Sequence, residues 1–343
     1  MKLIVKVLAA AAALTVSGVS MAQVTMDANL ELNPTITNRT ATSNSNSVDT
    51  DGRVEVNLAA RKSLADNYFV AGRGTLLLKL DGTTAVDDAW GQFGTKLWDV
   101  KLGRFEAMDL FPLGKDTLVV DARLVGDSEY AFGYNANDLR GRVGAGQLHA
   151  ALGVNPMPGL RAELGIVHAN DTGAGRVRGL RPAVSYTTGP LTLRGGIEYV
   201  NTLRKSAVTA TTLPGTITNP DGSVSNVTIT TAAGSDAVPS SSATGFGLSL
   251  GYNLGVGTDV NVNYAKKKER SALGANIVMG DFGLGAVYAR NTDTNRSRYA
   301  VYTAYSLPLL DIKGATITPA LSFGKNTGSD TQVAARVRVN YAF

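Results

Sequence analysis

Apolar and polar residues alternate with a period of two along most of this chain. Val24, Met26, Ala28, Leu30 and Leu32 alternate with Thr25, Asp27, Asn29 and Glu31. Val54, Val56, Leu58 and Ala60 alternate with Arg53, Glu55, Asn57 and Arg61, and Phe246, Leu248, Leu250 and Tyr252 with Gly247, Ser249, Gly251 and Asn253. In a β-strand this period sends successive side chains to opposite faces. The polar face carries charge and therefore does not line a protein core. The pattern predicts an all-β fold, a closed antiparallel transmembrane barrel with an apolar outside and an aqueous inside. Closure pairs every backbone N–H and C=O without an exposed edge. Beyond the first twenty or so positions no apolar run approaches the roughly 18 residues that a membrane helix needs.

Turn-forming clusters at 65–67, 98–99, 136–138, 156–159, 188–190, 254–258, 280–281 and 308–314 mark short connections at one end of such a barrel. With both termini at that end the strand number is even, and segmentation gives 16–18, the weak stretch at 127–154 deciding between them. Two connections at the other end are long. The segment at about 202–243 is rich in Thr, Ser, Gly and Ala, contains Pro214, Pro220 and Pro239, and reads as an exposed loop. The segment from Phe105 to about Gly126 carries Met108, Leu110, Phe111, Pro112, Leu113, Leu118 and Val119. It is too apolar to project into water, so this third loop is expected to fold inward against the wall.

The N-terminus has the form of an export signal: Lys2 and Lys6, a short apolar core at 7–16, and small residues around Ser20 and Ala22. Residues 1–22 are expected to be cleaved, leaving 23–343 as the pore-forming barrel. The formal charge of +5 then falls to +3, because the leader removes Lys2 and Lys6 and no acid. So small an excess gives no reason to expect nucleic acid as a partner. No cysteine is present, which excludes a disulfide framework, and the two histidines, His149 and His168, offer no metal cluster. Neither has an evident orienting acid, so no enzyme, catalytic residue, metal or cofactor is expected.

The last segment places Val333, Ala335, Val337, Val339, Tyr341 and Phe343 on one face and Arg336, Arg338 and Asn340 on the other. Val339, Tyr341 and the terminal Phe343 resemble the C-terminal signature of outer-membrane proteins, which closes the barrel and is read by the barrel insertion machinery. Val100, Lys101, Leu102, Gly103 and Arg104 resemble the end of the fifth strand of trimeric Gram-negative porins. The stretch Phe105 to Phe111 is closer in style to maltoporin-type sugar porins, and the Pro-Glu-Phe-Gly-Gly loop motif of the general porins is absent. The resemblance implies a homotrimer in the outer membrane, in contact with membrane lipid and lipopolysaccharide, that passes small hydrophilic solutes or sugars by passive diffusion.

On that resemblance the constriction is expected at Arg104, Phe105, Glu106, Asp109, Phe111, Asp116 and Asp121. A basic wall faces it, made of Arg61, Arg73, Lys79, Lys101, Arg142, Arg194, Arg336 and Arg338 on inferred inward positions. Acids across from bases produce a transverse field, and the basic excess predicts mild anion preference. A sugar channel needs lumenal aromatics, for which Trp90 and Tyr302 have the right parity. Tyr199, Tyr252, Tyr264, Tyr288 and Phe343 fall on the apolar face, as girdle aromatics do. A general pore and a sugar-selective one both stay open. A filled barrel serving as a structural anchor or adhesin does not suit sixteen or more strands, whose lumen wall side chains cannot fill.

Overall fold

The computed structural model describes residues 22–40, 45–114, 140–141, 147–171, 175–203, 205–208, 212–218, 221–230, 234–237, 241–327 and 331–343. The expected leader, apart from Ala22, the expected turn at 136–138 and the expected site residues Asp116, Asp121 and Arg142 lie outside the described residues.

The chain runs through β1 (Gln23–Thr40), β2 (Ser45–Ser63), β3 (Phe69–Lys79), β4 (Thr84–Gly94) and a short β5 (Trp98–Arg104). It continues with β6 (Gln147–Met157), β7 (Leu160–Asp171), β8 (Gly175–Thr188) and β9 (Leu191–Leu203). Four short strands follow: β10 (Lys205–Val208), β11 (Thr212–Thr218), β12 (Val224–Thr230) and β13 (Gly234–Ala237). The last group is β14 (Ser241–Gly255), β15 (Thr258–Lys267), β16 (Arg270–Met279), β17 (Phe282–Asn291), β18 (Arg296–Tyr305), the two-residue β19 (Leu307–Pro308), β20 (Ala315–Asn326) and β21 (Thr331–Ala342).

Sixteen strands pair antiparallel with their neighbours, and β1 pairs with β21 to close the barrel; β19 merely carries the β18 edge further along β20. The count settles at sixteen rather than eighteen because β5 pairs directly with β6, leaving no place in the sheet between them. At the seam Leu30 faces Tyr341 and Leu32 faces Val339, and the Phe343 N–H donates to the Ala28 carbonyl at 2.9 Å. The Tyr341 and Phe343 rings meet edge to face at 4.5 Å.

The period of two becomes two surfaces. Met26, Leu164, Ile166, Leu248, Leu273 and Leu321 stand exposed on the outside. Asn57, Thr75, Asn263, Ser322, Gln332 and Arg336 are buried on the inside, where the curved wall crowds side chains together. Of the aromatics expected in the girdle, Tyr199, Tyr252, Tyr288 and Phe343 are exposed and Tyr264 is half-buried.

The 202–243 segment is more regular than its composition suggests. β10 pairs with β13 and β11 with β12, and each pairing continues the register of β9 on β14 to within one residue. These are two separate two-stranded sheets, and Asp221, Gly222 and Ser223 form a turn before β12. There the Ser223 hydroxyl and backbone N–H both donate to the Asp221 carboxylate, at 2.7 and 2.9 Å, and hold its pKa below the ordinary aspartate value.

Candidate functional site

At the end of β5 the chain leaves the wall. Gly103 has φ 123°, in the region that favours glycine, and passes hard against the Ala89 carbonyl. Arg104 does not enter the segment that follows: its Nε donates to the carbonyls of Val86 and Asp87, at 3.0 and 2.8 Å, and fastens the strand end to β4. Phe105 is buried and stacked on the buried His149 ring at 3.9 Å, and His149 Nδ1 lies 3.2 Å from the Phe105 carbonyl, which accepts its proton. Gly141, φ 136°, returns the chain beside that same carbonyl. Glu106 bridges to Gly141, and the Ala107 N–H donates to the Arg140 carbonyl at 2.6 Å. The two ends of the connection between β5 and β6 are thus tied to each other.

Beyond this base, residues 108–113 are held by side chains from the inner faces of other strands. The Met108 N–H donates to Glu163 of β7 at 3.0 Å, and its carbonyl accepts from Arg181 of β8 at 2.6 Å. Arg181 also pairs at 2.8 Å with Glu198 of β9, both side chains wholly buried. The Pro112 carbonyl accepts from Asn263 of β15 at 2.6 Å and from Asn276 of β16 at 2.8 Å. The Leu113 carbonyl accepts from the Tyr302 hydroxyl of β18 at 3.0 Å. Backbone without a ladder partner has to find acceptors and donors elsewhere, and these wall side chains supply them.

Apolar contact does more of the work. Leu110 and Phe111 are fully buried in a cluster with Ala183, Ala265, Ala272, Val287 and Tyr302. Burying one such side chain contributes about 1.5–3 kcal/mol, against about 1 kcal/mol net for a hydrogen bond. The wall opposite is cut to receive them: a Cβ on Gly196 would stand 2.8 Å from Leu110, and one on Gly274 would stand 2.8 Å from Phe111. Gly285 does the same for Tyr302, whose ring lies directly on it.

The remaining inner wall is charged, and several of its charges are paired. On β1 to β4 and β21, Arg53 contacts Glu31 at 3.2 Å and Glu55 at 3.3 Å, and Arg73 contacts Asp88 at 3.7 Å and Glu55 at 4.0 Å. Arg338 reaches Glu31 at 3.8 Å and donates to Asn33 at 2.7 Å. Further round, Arg161 forms two contacts with Asp99, at 2.8 and 3.1 Å.

The register places Arg61, Arg73, Lys79, Lys101, Arg194, Arg336 and Arg338 on this inner face. Arg61 lies over the Phe69 ring, and Lys101 lies 3.9 Å from the Trp90 centroid and 4.7 Å from that of Phe105. Several expectations change. Glu106 and Asp109 pair with Arg140 of their own connection, at 3.0 and 3.8 Å. Phe105, Phe111 and Tyr302 are buried, so none offers a ring face to a solute. Trp90 keeps a half-buried position on the inner face, its ring beneath the Lys101 ammonium. The count of wall charges also left out the acids Asp27, Glu31, Glu55, Asp88, Asp99, Glu163 and Glu198, although Asp27, Glu31 and Glu55 stand on the alternating polar positions.

A closed sixteen-strand antiparallel barrel with a charged inner wall and an apolar outer one is the architecture of outer-membrane porins. Residues 20–304 match the family described as "Porin-like glycoporin RafY", and the chain belongs to that family of outer-membrane channels. No curated sequence matches it significantly. Among solved structures, a loop-deletion mutant of OmpT, an outer membrane protein of Vibrio cholerae, superposes with TM-score 0.60 at 12% identity, over 94% of this chain and 99% of that one. A mutant of Rh. blastica porin superposes with TM-score 0.52 at 11% identity, over 94% of this chain and 100% of its own. At such identities the likeness is one of fold.

Proposed function

We propose that the chain forms a passive channel for small hydrophilic solutes across the outer membrane, with segment 105–114 folded into the lumen as its constriction. What carries this reading is the set of contacts that fix Met108, Leu110, Phe111, Pro112 and Leu113 to the inner faces of β7, β8, β9, β15, β16 and β18. Solute then passes between that segment and the charged wall of β1 to β4 and β21. The termini and short turns face the periplasm, and the long connections face the exterior.

Arg53, Arg73 and Arg338 are paired with Glu31, Glu55 and Asp88, which reduces the basic excess of the wall, so the net field is weak and anion preference is mild. In a planar bilayer, large and steady openings are expected, with a reversal potential in a salt gradient displaced slightly toward that of the anion. An absence of conductance would sink the channel reading, and clear cation preference would sink the placement of the wall charges.

A second reading, a sugar-selective channel, is supported by the glycoporin description of the family. Saturable block of the current by maltodextrins or sucrose supports it, and unblocked current returns the choice to a general pore.

A further inference from the structure

The imidazole of His149 sits at the base of segment 105–114 with only one of its nitrogens engaged. The side chain is wholly buried on the inner face of β6. Nδ1 donates to the Phe105 carbonyl at 3.2 Å, whereas Nε2 has no hydrogen-bond partner among the described residues. With its proton on Nδ1 the ring is neutral, and Nε2 carries a lone pair. That lone pair faces a gap in the side chains of β7, where a Cβ on Gly165 would lie 3.7 Å from Nε2.

The ring joins both ends of the connection between β5 and β6. Its face lies on Phe105, with 3.9 Å between centroids and 10° between planes, and a Cβ on Gly141 would stand 2.9 Å from Nδ1. Phe105 belongs in turn to a small cluster with Ala107, Ala151 and Trp90.

A second proton would find no acceptor and would add to positive charge. The charges that reach the ring are those of Arg181 from β8 and Lys101 from β5, both cations. The Lys101 ammonium already lies 4.7 Å from the Phe105 centroid, so a cationic imidazole would crowd a second charge onto the same ring. The surrounding acids are engaged elsewhere: Glu198 of β9 by Arg181 at 2.8 Å, Glu163 of β7 by the Met108 N–H at 3.0 Å, and Glu106 by Arg140 at 3.0 Å. The neighbours of His149 on the same face of β6, Gln147 and Ala151, do not titrate. A buried N–H that carries charge and lacks an acceptor is costly, so the protonated ring leaves this place.

We propose that His149 is a positioning residue for the constriction: neutral, it pins Phe105 and the base of the segment to the wall, and on gaining a proton it gives up the stack and the Phe105 carbonyl and lets the segment move. The tie is present at neutral pH and lost as the pH falls. The inference rests on the reading of segment 105–114 as the constriction.

The test is single-channel recording of the whole purified protein in a planar bilayer, from neutral to acid pH. Native openings are expected to be steady at neutral pH and to become severalfold noisier in acid, reversibly. His149→Gln keeps a side-chain N–H but takes no proton, and His149→Phe keeps the stack; each is expected to lose most of that rise, whatever noise it shows at neutral pH. His168→Gln, on the outer face, is expected to keep it. Carboxylates such as Glu106 and Asp109 also gain protons in acid, and their contribution stays in all four proteins. An acid rise as large in both His149 variants as in the native protein overturns the proposal, and so does native noise that ignores pH. Should neither variant assemble, hydrogen–deuterium exchange at the imidazole C2 position, followed by mass spectrometry, reads His149 and His168 separately in the native protein. The pH midpoint of His149 is expected to coincide with that of the current noise, and a midpoint apart from it overturns the proposal. Native protein that gives no openings even at neutral pH overturns the channel reading, and this inference with it.

Discussion

Replacing Glu198 with alanine is expected to destabilise the barrel by about 3–5 kcal/mol, because it leaves the Arg181 guanidinium wholly buried without its carboxylate. Few single changes in this chain should cost as much, since most ion pairs on the inner wall are partly exposed and worth about 1 kcal/mol or less. The measurement is the temperature at which the barrel loses its compact form on a detergent gel. Arg181 also donates to the Met108 carbonyl, so the same variant should give a noisier open-channel current.

The two effects separate in the double variant Arg181→Met/Glu198→Leu. Exchanging a whole buried pair for apolar groups of similar volume is commonly neutral or stabilising, so the transition temperature should recover. The Met108 carbonyl would lose its donor in this variant, and the current should be noisy all the same. A double variant that is quiet as well as stable would show that the pair serves the wall and not the segment at 105–114.

The barrel was legible because each strand carries its own evidence. Val54 to Ala60 and Phe246 to Tyr252 alternate locally, and alternation together with closure decides which side chains face the lumen. That local rule assigned Arg73, Lys101 and Arg336 to the inner face without knowledge of their partners. What it lacked was distance. Asn263 and Tyr302, which hold Pro112 and Leu113, lie 151 and 189 residues further along the chain, and nothing near either residue announces the contact.

The pairing of the wall charges was hidden for a similar reason. Arg53 and Glu31 stand opposite each other only once β1 and β2 adopt their register, so a reading that counts cations by strand does not see such pairs. The segment between β9 and β14 was obscured differently. Its threonines, serines and glycines resemble those of a loop, yet Leu213, Gly215 and Ile217 keep the period of two, and threonine is itself a good strand residue.

Gly274→Val is expected to shrink the pore. A Cβ at Gly274 stands 2.8 Å from two ring carbons of Phe111, and the added methyls need still more room. The wall is a hydrogen-bonded sheet fixed on both sides by β15 and β17, and it yields less readily than a segment tied by a few side chains. Phe111 is therefore the partner that moves, and it moves away from the wall, into the lumen. Overpacking of this kind costs about 1–3 kcal/mol, enough to lower thermal stability without preventing assembly. Single-channel conductance should fall. Phe111→Ala acts in the opposite sense: it leaves a cavity costing about 3–5 kcal/mol, frees Gly274, and should give larger and less steady openings. Gly74→Ala and Gly91→Ala, where a Cβ meets nothing within 4 Å, are the controls expected to conduct as the native protein does. Equal conductance in Gly274→Val and the controls would mean that the constriction lies elsewhere than at Phe111.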